Sequence, residues 1–238
     1  MPQRLLLIIG LLADIHGNHR ALAAVLNAAS NSGVERLLIA GDLIGYYSAP
    51  LQVMEMLLPW PRHIARGNHE DMLQMARADH AFLAQVDMRY GTGLRIACEQ
   101  LGAYQLNNLC CLPHPLDLNF SGFRILLCHG SPTDIDQYIY PDSPADLLQK
   151  CAVPGYDLVV LGHTHHPMSF QSGNTLLANP GSVGQPRNRK PGASWAVFDT
   201  AACNLQFRTE QYDYRALSSE CQNRHPELPY LAETLLRT

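Results

Sequence analysis

Five apolar runs along the sequence each lead into a short group of Asp, Asn or His residues that a glycine flanks. The groups are Asp14-Ile-His16-Gly17, Gly41-Asp42, Gly67-Asn68-His69-Glu70, His129-Gly130 and Gly162-His163-Thr164-His165. Carboxylate, amide oxygen and imidazole without thiolate form a mixed nitrogen and oxygen ligand set. Such a set suits Mn²⁺, Fe, Zn²⁺, Ni²⁺ or Co²⁺ better than Ca²⁺, because Ca²⁺ prefers oxygen alone. The pattern therefore indicates a site for one of these metals.

These groups hold more candidate ligands than one tetrahedral ion can use. The seven candidates are Asp14, His16, Asp42, Asn68, His129, His163 and His165. A carboxylate can bridge two cations, so the count indicates a dinuclear site in which Asp42 or Asp14 is shared. Each residue alone has an ordinary explanation, a core or surface histidine or an aspartate that caps a helix. Five independent occurrences favour one shared site over five such explanations.

The elements that must position these residues are predicted to be strands that alternate with helices. Strands are predicted near residues 5–12, 36–40 and 63–65, with helices over 18–30 and 50–58 between them. This order indicates a largely parallel sheet, whose carboxyl strand ends meet at one edge, where ligands bind. In an extended backbone Asp14 and His16 would point to the same side, as would His163 and His165.

The rest of the chain changes pattern twice. Residues 71–112 are predicted to be mainly helical, and this weakly charged segment either packs into the core or walls a substrate cleft. Further strands are predicted over 123–128, 157–161, 168–171, 174–178, 194–199 and 204–208, followed by a helix near 229–236. Because no repeat or linker interrupts the chain, we expect residues 1–238 to form a single domain with two sheets.

The composition is that of a globular protein without a basic surface. The chain is 47% hydrophobic and 16% charged, which argues against disorder. Its net charge of -4 argues against binding of a nucleic-acid polymer or an anionic membrane. Seven cysteines without a CxxC spacing indicate reduced thiols in a cytoplasmic protein rather than disulfides. The apolar run after Arg4 is too short to span a membrane, and we interpret it as the first strand.

In their order and spacing the five groups resemble the signature of the calcineurin-like metallophosphoesterases. The resemblance covers about residues 5–200, and the segment 179–187 is similar to the small prokaryotic phosphodiesterase and phosphatase branch. It implies an α/β fold, a four-layer α-β-β-α sandwich of two mixed β-sheets flanked by helices. It also implies that Asp42 bridges two metals. One metal would be held further by Asp14, His16 and His165, and the other by Asn68, His129 and His163.

Other residues near these groups suggest a catalytic and substrate-binding role. The resemblance implies that His69 is no ligand but faces the leaving group or phosphate, and its imidazole titrates near neutrality, as a general acid should. Arg66 and Arg187 could each clamp a phosphate oxygen, although either could equally be a solvated surface residue. Tyr46, after Gly45, could line the leaving-group side or simply pack.

The predicted function is that of a phosphodiesterase acting on small phosphodiesters or nucleotides. Two divalent cations, Mn²⁺ before the other metals named, would lower the pKa of a bridging water so that its hydroxide attacks phosphorus. Alternatives are a phosphomonoesterase, a dinucleoside polyphosphate hydrolase, or a non-catalytic metal-binding scaffold on the same fold. The presence of His69 favours an enzyme, because such a scaffold can lose this histidine. The segment after Gly41-Asp42 lacks the Val-Asp-Arg-Gly block of Ser/Thr protein phosphatases, which argues against a phosphoprotein substrate. The sequence does not indicate an oligomeric state.

Overall fold

Two five-stranded sheets form the centre of the protein, whose computed structural model describes residues 7–237. The strands are β1 (Ile8–Leu12), β2 (Arg36–Ala40), β3 (Arg62–Ala65), β4 (Leu116–Phe120), β5 (Phe123–Leu127), β6 (Leu158–Val160), β7 (Met168–Ser172), β8 (Thr175–Asn179), β9 (Ala193–Asp199) and β10 (Asn204–Glu210). Nine of them match strands predicted from the sequence, whereas β4 was missed. Residues 5 and 6 of the first predicted strand lie outside the described residues.

Nine helices within the described residues cover the sheets. They are α1 (His19–Asn31), α2 (Pro50–Leu57), α3 (Asn68–Ala78), α4 (His80–Tyr90), α5 (Gly93–Gln100), α6 (Ala103–Cys110), α7 (Ala145–Cys151), α8 (Tyr214–Arg224) and α9 (Tyr230–Leu236). The segment 71–112 is helical as predicted, but it is broken into four helices. Asp79 ends α3 and caps α4, and Gly91 ends α4 with φ +79°, a conformation that favours glycine. The sequence prediction missed α7 and α8.

Both sheets are mixed. The first sheet has the order β10-β9-β1-β2-β3 and the second the order β4-β5-β6-β8-β7. Strands β1, β2 and β3 are parallel, as their alternation with helices predicts, whereas β9 is antiparallel to β1 and to β10. The parallel arrangement predicted from the first seventy residues is therefore confirmed for β1, β2 and β3. The sheet is mixed, as the resemblance implies, because β9 and β10 add a hairpin from the distant end of the chain.

The central strands β1, β2, β5 and β6 are largely apolar because each sheet is covered on both faces there, whereas the edge strands β4, β7 and β10 carry exposed polar residues. In β2, Leu37 and Ile39 pack against the helices on the outside of the first sheet, while Leu38 and Ala40 face the second sheet. In β5, Ile125 faces the first sheet and Leu126 packs towards α7. This period of two, with apolar residues on both faces, produces continuous hydrophobic runs. The result is the predicted four-layer α-β-β-α sandwich.

The pairing of strands brings five loops to one edge of the sandwich. β1 pairs with β2 and β5 with β6 in parallel register, so their carboxyl ends lie side by side. The loops are tied within each sheet, since Asp14 N–H donates to the Gly41 carbonyl at 3.1 Å and Gly162 N–H to the His129 carbonyl at 2.7 Å. No helix in residues 7–237 has the length and apolar character that a membrane span requires.

Candidate metal centre

One carboxylate oxygen of Asp42 lies at the centre of the cluster. Its Oδ2 is 3.4 Å from Nε2 of His129 and 3.6 Å from Nε2 of His16, while its Oδ1 accepts a hydrogen bond from the His69 backbone at 2.9 Å. The side chain is buried, and the turn after β2 holds it in place. Oδ2 is therefore positioned between two groups of side chains, and each group could hold a metal ion.

The first group joins the loop after β1 to the loop after β6. His165 Nε2 is 3.5 Å and His16 Nε2 is 3.9 Å from Oδ1 of Asp14, and the two ring nitrogens are 3.1 Å apart. All three side chains are buried. Together they place two imidazoles and one carboxylate around a single point, a geometry that suits a divalent cation.

The ring nitrogens of this first group show that the residues fit a metal. His16 Nδ1 donates to the Ile44 carbonyl at 3.3 Å and His165 Nδ1 donates to the Gln185 carbonyl at 2.6 Å. Both Nε2 atoms therefore carry lone pairs, because burial holds the pKa of each ring well below its ordinary value and keeps the rings neutral. Two lone pairs that face each other at 3.1 Å repel unless a cation lies beside them.

The second group comes from the segments that directly follow β3, β5 and β6. His129 Nδ1 donates to the Ala40 carbonyl at 2.7 Å, which turns its Nε2 towards Oδ1 of Asn68 at 3.0 Å. The His163 ring lies 4.9 Å from the His129 ring, centroid to centroid, and its Nε2 donates to the Asp136 carbonyl at 3.1 Å. For His163 the nitrogen left to bind a metal is consequently Nδ1.

Five of the seven predicted ligands adopt left-handed backbone conformations, which are uncommon for residues other than glycine. Asp14, His16, Asp42, His163 and His165 have φ between 51° and 66°. The extended backbone expected at these residues is therefore wrong, although the side chains still meet. Each such residue costs roughly 1–3 kcal/mol, which hydrogen bonds between the loops must offset. The His16 N–H, for example, donates to the Asp42 carbonyl at 2.9 Å.

Burial and neighbouring charges shift the pKa values of the side chains in the cluster. Burial raises the pKa of Asp14, and the neighbouring Asp42 carboxylate raises it further. Burial alone would lower the pKa of His129, but the Asp42 carboxylate outweighs it and the pKa is raised. This shift favours the protonated His129 ring beside Asp42 when no metal is bound. A cation would displace that proton, as metal binding to imidazole requires.

His69 lies beside Asp42 and His16, with which it forms another group that could hold a cation. Its Nε2 is 3.9 Å from Oδ2 of Asp42, and its ring centroid is 4.6 Å from that of His16. Its buried Nδ1 has no hydrogen-bond partner among the described residues. Burial lowers the pKa of His69, and the Asp42 carboxylate opposes that shift. His69 also lines the pocket over the cluster, where its ring can face a bound substrate.

The two predicted arginines lie in different surroundings. Arg187 lines the pocket over the cluster, and its Nη2 donates to the Tyr46 hydroxyl at 3.2 Å and to Oε1 of Gln185 at 3.1 Å. Tyr46 is buried, with its ring 4.4 Å from the His16 ring. Arg66 is not brought to this pocket, because its Nε pairs with Oδ1 of Asp71 at 2.9 Å.

Comparison with known proteins assigns this arrangement to a family. The model of the calcineurin-like phosphoesterase superfamily domain matches residues 7–202, most of the chain. The chain belongs to the calcineurin-like phosphoesterase superfamily. As a member it is a hydrolase that acts on phosphoester bonds, and its buried His and Asp residues form a cluster able to hold metal.

Individual proteins are similar to this chain in sequence or in fold. An uncharacterized protein of Methanocaldococcus jannaschii is 29% identical over 96% of this chain and 97% of its own. A hypothetical protein of Pyrococcus horikoshii OT3 has a similar crystal structure, with a TM-score of 0.82, 23% identity and coverage of 97% and 98% of the two chains. A metallophosphoesterase of Sphaerobacter thermophilus gives a TM-score of 0.77 at 24% identity, over 98% and 99%.

Glu70 supports the phosphoesterase site and was missed by the sequence prediction. This buried carboxylate accepts hydrogen bonds from the backbone N–H of Asp42, Leu43 and Gly67 at 2.9, 2.9 and 2.8 Å. It thereby joins the turn after β2 to the start of α3. The signal was its position three residues after Gly67, where a glutamate commonly caps a helix.

Two tyrosines of the pocket were also missed. Tyr90, at the end of α4, has its ring 5.6 Å from that of His69, and Tyr138 has its ring 4.1 Å from that of His163. Both line the pocket together with Arg187. No local signal distinguishes these tyrosines from ordinary packing residues, because only the fold brings residues 90 and 138 to the same place.

Proposed function

We propose that the protein is a dinuclear metal-dependent phosphodiesterase that acts on small phosphodiesters or nucleotides, with some phosphomonoesterase activity. The observation that carries the proposal is the position of Asp42 Oδ2 between Nε2 of His16 and Nε2 of His129, at 3.6 and 3.4 Å. A carboxylate oxygen in this position could serve both groups of side chains, as a bridging carboxylate does. The family membership supplies the reaction class.

In this proposal two sets of side chains would each hold one metal ion. Asp14, His16 and His165 would hold one ion, and the other would be held by the group of Asn68, His129 and His163. Bound there, two divalent cations would supply Lewis acidity, which lowers the pKa of water and offsets the charge of the phosphate. Mn²⁺ is the proposed metal, because a mixed nitrogen and oxygen set without thiolate accepts it.

Two further residues would act on the substrate directly. His69 would give a proton to the departing alkoxide, since its ring lines the pocket and its Nε2 lies 3.9 Å from the Asp42 carboxylate, which opposes the lowering of its pKa by burial. Arg187 would bind a phosphate oxygen, because Tyr46 and Gln185 already fix its guanidinium at the pocket. We do not extend the phosphate-clamp role to Arg66, whose guanidinium pairs with Asp71.

The proposed partner is a small phosphate ester rather than a nucleic-acid polymer. The net charge of -4 does not supply the basic surface that a polymer requires. The pocket over the cluster is also narrow, with a volume of about 30 Å³. All seven cysteines have free thiols, which is typical of a reducing compartment, and we therefore propose a cytoplasmic location.

The test is hydrolysis of bis-p-nitrophenyl phosphate beside p-nitrophenyl phosphate. Protein treated with a chelator should be inactive, and Mn²⁺ should restore cleavage with a preference for the diester; Ni²⁺, Zn²⁺ and Mg²⁺ are compared in parallel. A preference for the monoester would contradict the phosphodiesterase and favour a phosphomonoesterase. Binding of two ions without cleavage of either compound would favour the non-catalytic scaffold.

A further inference from the structure

An apolar groove lies beside the pocket on the outer surface of α3 and α4. It has a volume of about 180 Å³ and is lined by Met72, Phe82, Gln85, Val86, Arg89 and Tyr90. Among these residues only Arg89 is charged. An apolar cavity of about 150 Å³ can bind benzene, so the groove has room for one aromatic ring.

Tyr90 borders both the groove and the pocket over the metal-binding cluster. The same side chain lines both, and its ring lies 5.6 Å from the ring of His69. The Arg89 guanidinium lies 5.0 Å from the centroid of the Tyr90 ring, which helps to hold that ring in place. A substituent that reaches past Tyr90 from a molecule bound over the cluster would therefore enter the groove.

The position of His69 decides which part of the substrate faces the groove. In the proposed function His69 protonates the leaving alkoxide, so the leaving group must lie on the side of His69. Tyr90 and the groove lie on that side, because α3 begins one residue before His69 and contributes Met72 to the groove wall. The other end of the pocket, at Tyr138 and His163, is then left for the remaining ester group.

We propose that the groove between α3 and α4 binds an aromatic leaving group of the phosphodiester. The aromatic rings of Phe82 and Tyr90 and the thioether of Met72 offer the contacts that an aromatic ring prefers. The inference rests on the proposed function, and it specifies the substrate class further as aryl esters or esters with a similar planar apolar alcohol.

The test uses two diesters that release the same leaving group, bis-p-nitrophenyl phosphate and methyl p-nitrophenyl phosphate, with Mn²⁺-loaded protein. Gln85 is exposed and lines the groove, so it can be changed without disturbing the core. Q85E, which adds a charge, should lower kcat/KM about fivefold relative to Q85L for both diesters. Inhibition by inorganic phosphate, which has no leaving group, should remain unchanged in both variants.

Two further variants make the test specific. F82A removes an aromatic wall of the groove and should also lower kcat/KM about fivefold for both diesters. M88E places a charge on the same helix at a side chain that is 71% exposed and outside the groove, and it should match the unaltered protein.

The possible results separate the inference from the proposed function. Unchanged kcat/KM in Q85E and F82A, or a loss confined to bis-p-nitrophenyl phosphate, would overturn the inference alone. An equal loss in Q85E and Q85L, or a matching change in phosphate inhibition, would overturn it as well. If the unaltered protein cleaves neither diester with any metal, the proposed function fails and the inference fails with it.

Discussion

At the scale of single residues, the first group of the cluster holds several electron-rich atoms close together. The lone pairs of His16 Nε2 and His165 Nε2 face each other at 3.1 Å, and two buried carboxylates lie beside them. The carbonyls of Ile44 and Gln185 prevent either ring from reversing its tautomer. Positive charge supplied from outside the chain resolves this conflict, so we expect metal affinity to depend on individual side chains.

The first prediction compares Asp42 with His69. D42N should lower metal content and abolish activity, by at least about 100-fold, because an amide cannot supply the negative oxygen between the two groups. H69A should keep its metals but lose about 10²–10³-fold in kcat with poor leaving groups such as phenol, since a proton donor is removed. Metal content is measured by elemental analysis and kcat with p-nitrophenyl and phenyl esters.

An exposed histidine provides the control for this comparison. H80A changes the first residue of α4, outside the pocket, and should retain both metal and activity. A loss of metal in H69A as large as that in D42N would contradict the assignment, and His69 would then be a ligand. A similar loss of kcat with good and poor leaving groups would instead remove its role as a proton donor.

At the scale of elements, the ligands are positioned by turns that other elements hold. The left-handed turn at Asp42 is fixed by Glu70 from α3, which accepts three backbone hydrogen bonds across the gap between β2 and β3. Gly67 is required at this junction because a Cβ atom there would collide with the Asp42 carboxylate and backbone. The strands bring the loops to one edge of the sandwich, and the hydrogen bonds that hold these loops fix the orientation of the side chains in the cluster.

The second prediction therefore concerns Glu70. E70Q should lower the free energy of unfolding by about 1–3 kcal/mol, because its amide NH₂ faces at least one buried backbone N–H. It should also weaken metal binding by about 10–100-fold through the displaced Asp42 turn. Urea unfolding and metal titration measure the two effects. E99Q, an exposed control on α5, should change neither, and normal metal affinity in E70Q would show that Glu70 does not position Asp42.

At the scale of the whole molecule, the site connects the two sheets of the sandwich. The His163 N–H from the second sheet donates to the Asp14 carboxylate of the first at 3.1 Å, and His129 from the second sheet donates to the Ala40 carbonyl of the first at 2.7 Å. Metal ions bound by both sheets would thus oppose their separation during unfolding. Occupancy of the site and stability of the fold should be coupled.

The third prediction is that removal of metal lowers thermal stability. An ion present at 100 times its Kd stabilises the native state by about 2.7 kcal/mol, which corresponds to roughly 5–10 °C in Tm for a chain of this size. Thermal unfolding is compared after chelation and after addition of Mn²⁺. D42N should show a much smaller difference between the two conditions. Equal Tm values for the chelated and reloaded protein would contradict a coupling between site and fold.

Much of the fold and of the cluster is predictable from the sequence, because the information is local. The runs that form β1, β2, β5 and β6 are apolar on both faces, and the chemistry-bearing residues follow each run directly. The order of strands and helices then brings these ends to one edge. Within 71–112 the glycines at 91 and 93 mark the break between α4 and α5, whereas the breaks at Asp79 and near Leu101 were not predicted, since the segment has one weakly charged, Met- and Ala-rich composition. The short helix α7 and the mostly polar helix α8 were missed because they give little periodic signal.

What the sequence by itself determined is therefore which residues form the cluster and the edge at which they meet. The tertiary structure alone decided how they face one another. Contacts that the local sequence does not specify decide three features of the site. They are the left-handed backbone at Asp14 and Asp42, the ion pair that keeps Arg66 from the pocket, and the approach of Tyr90 to His69. The physical reason is that a side chain's direction follows from hydrogen bonds and packing across the fold, which neighbouring residues in the sequence do not specify.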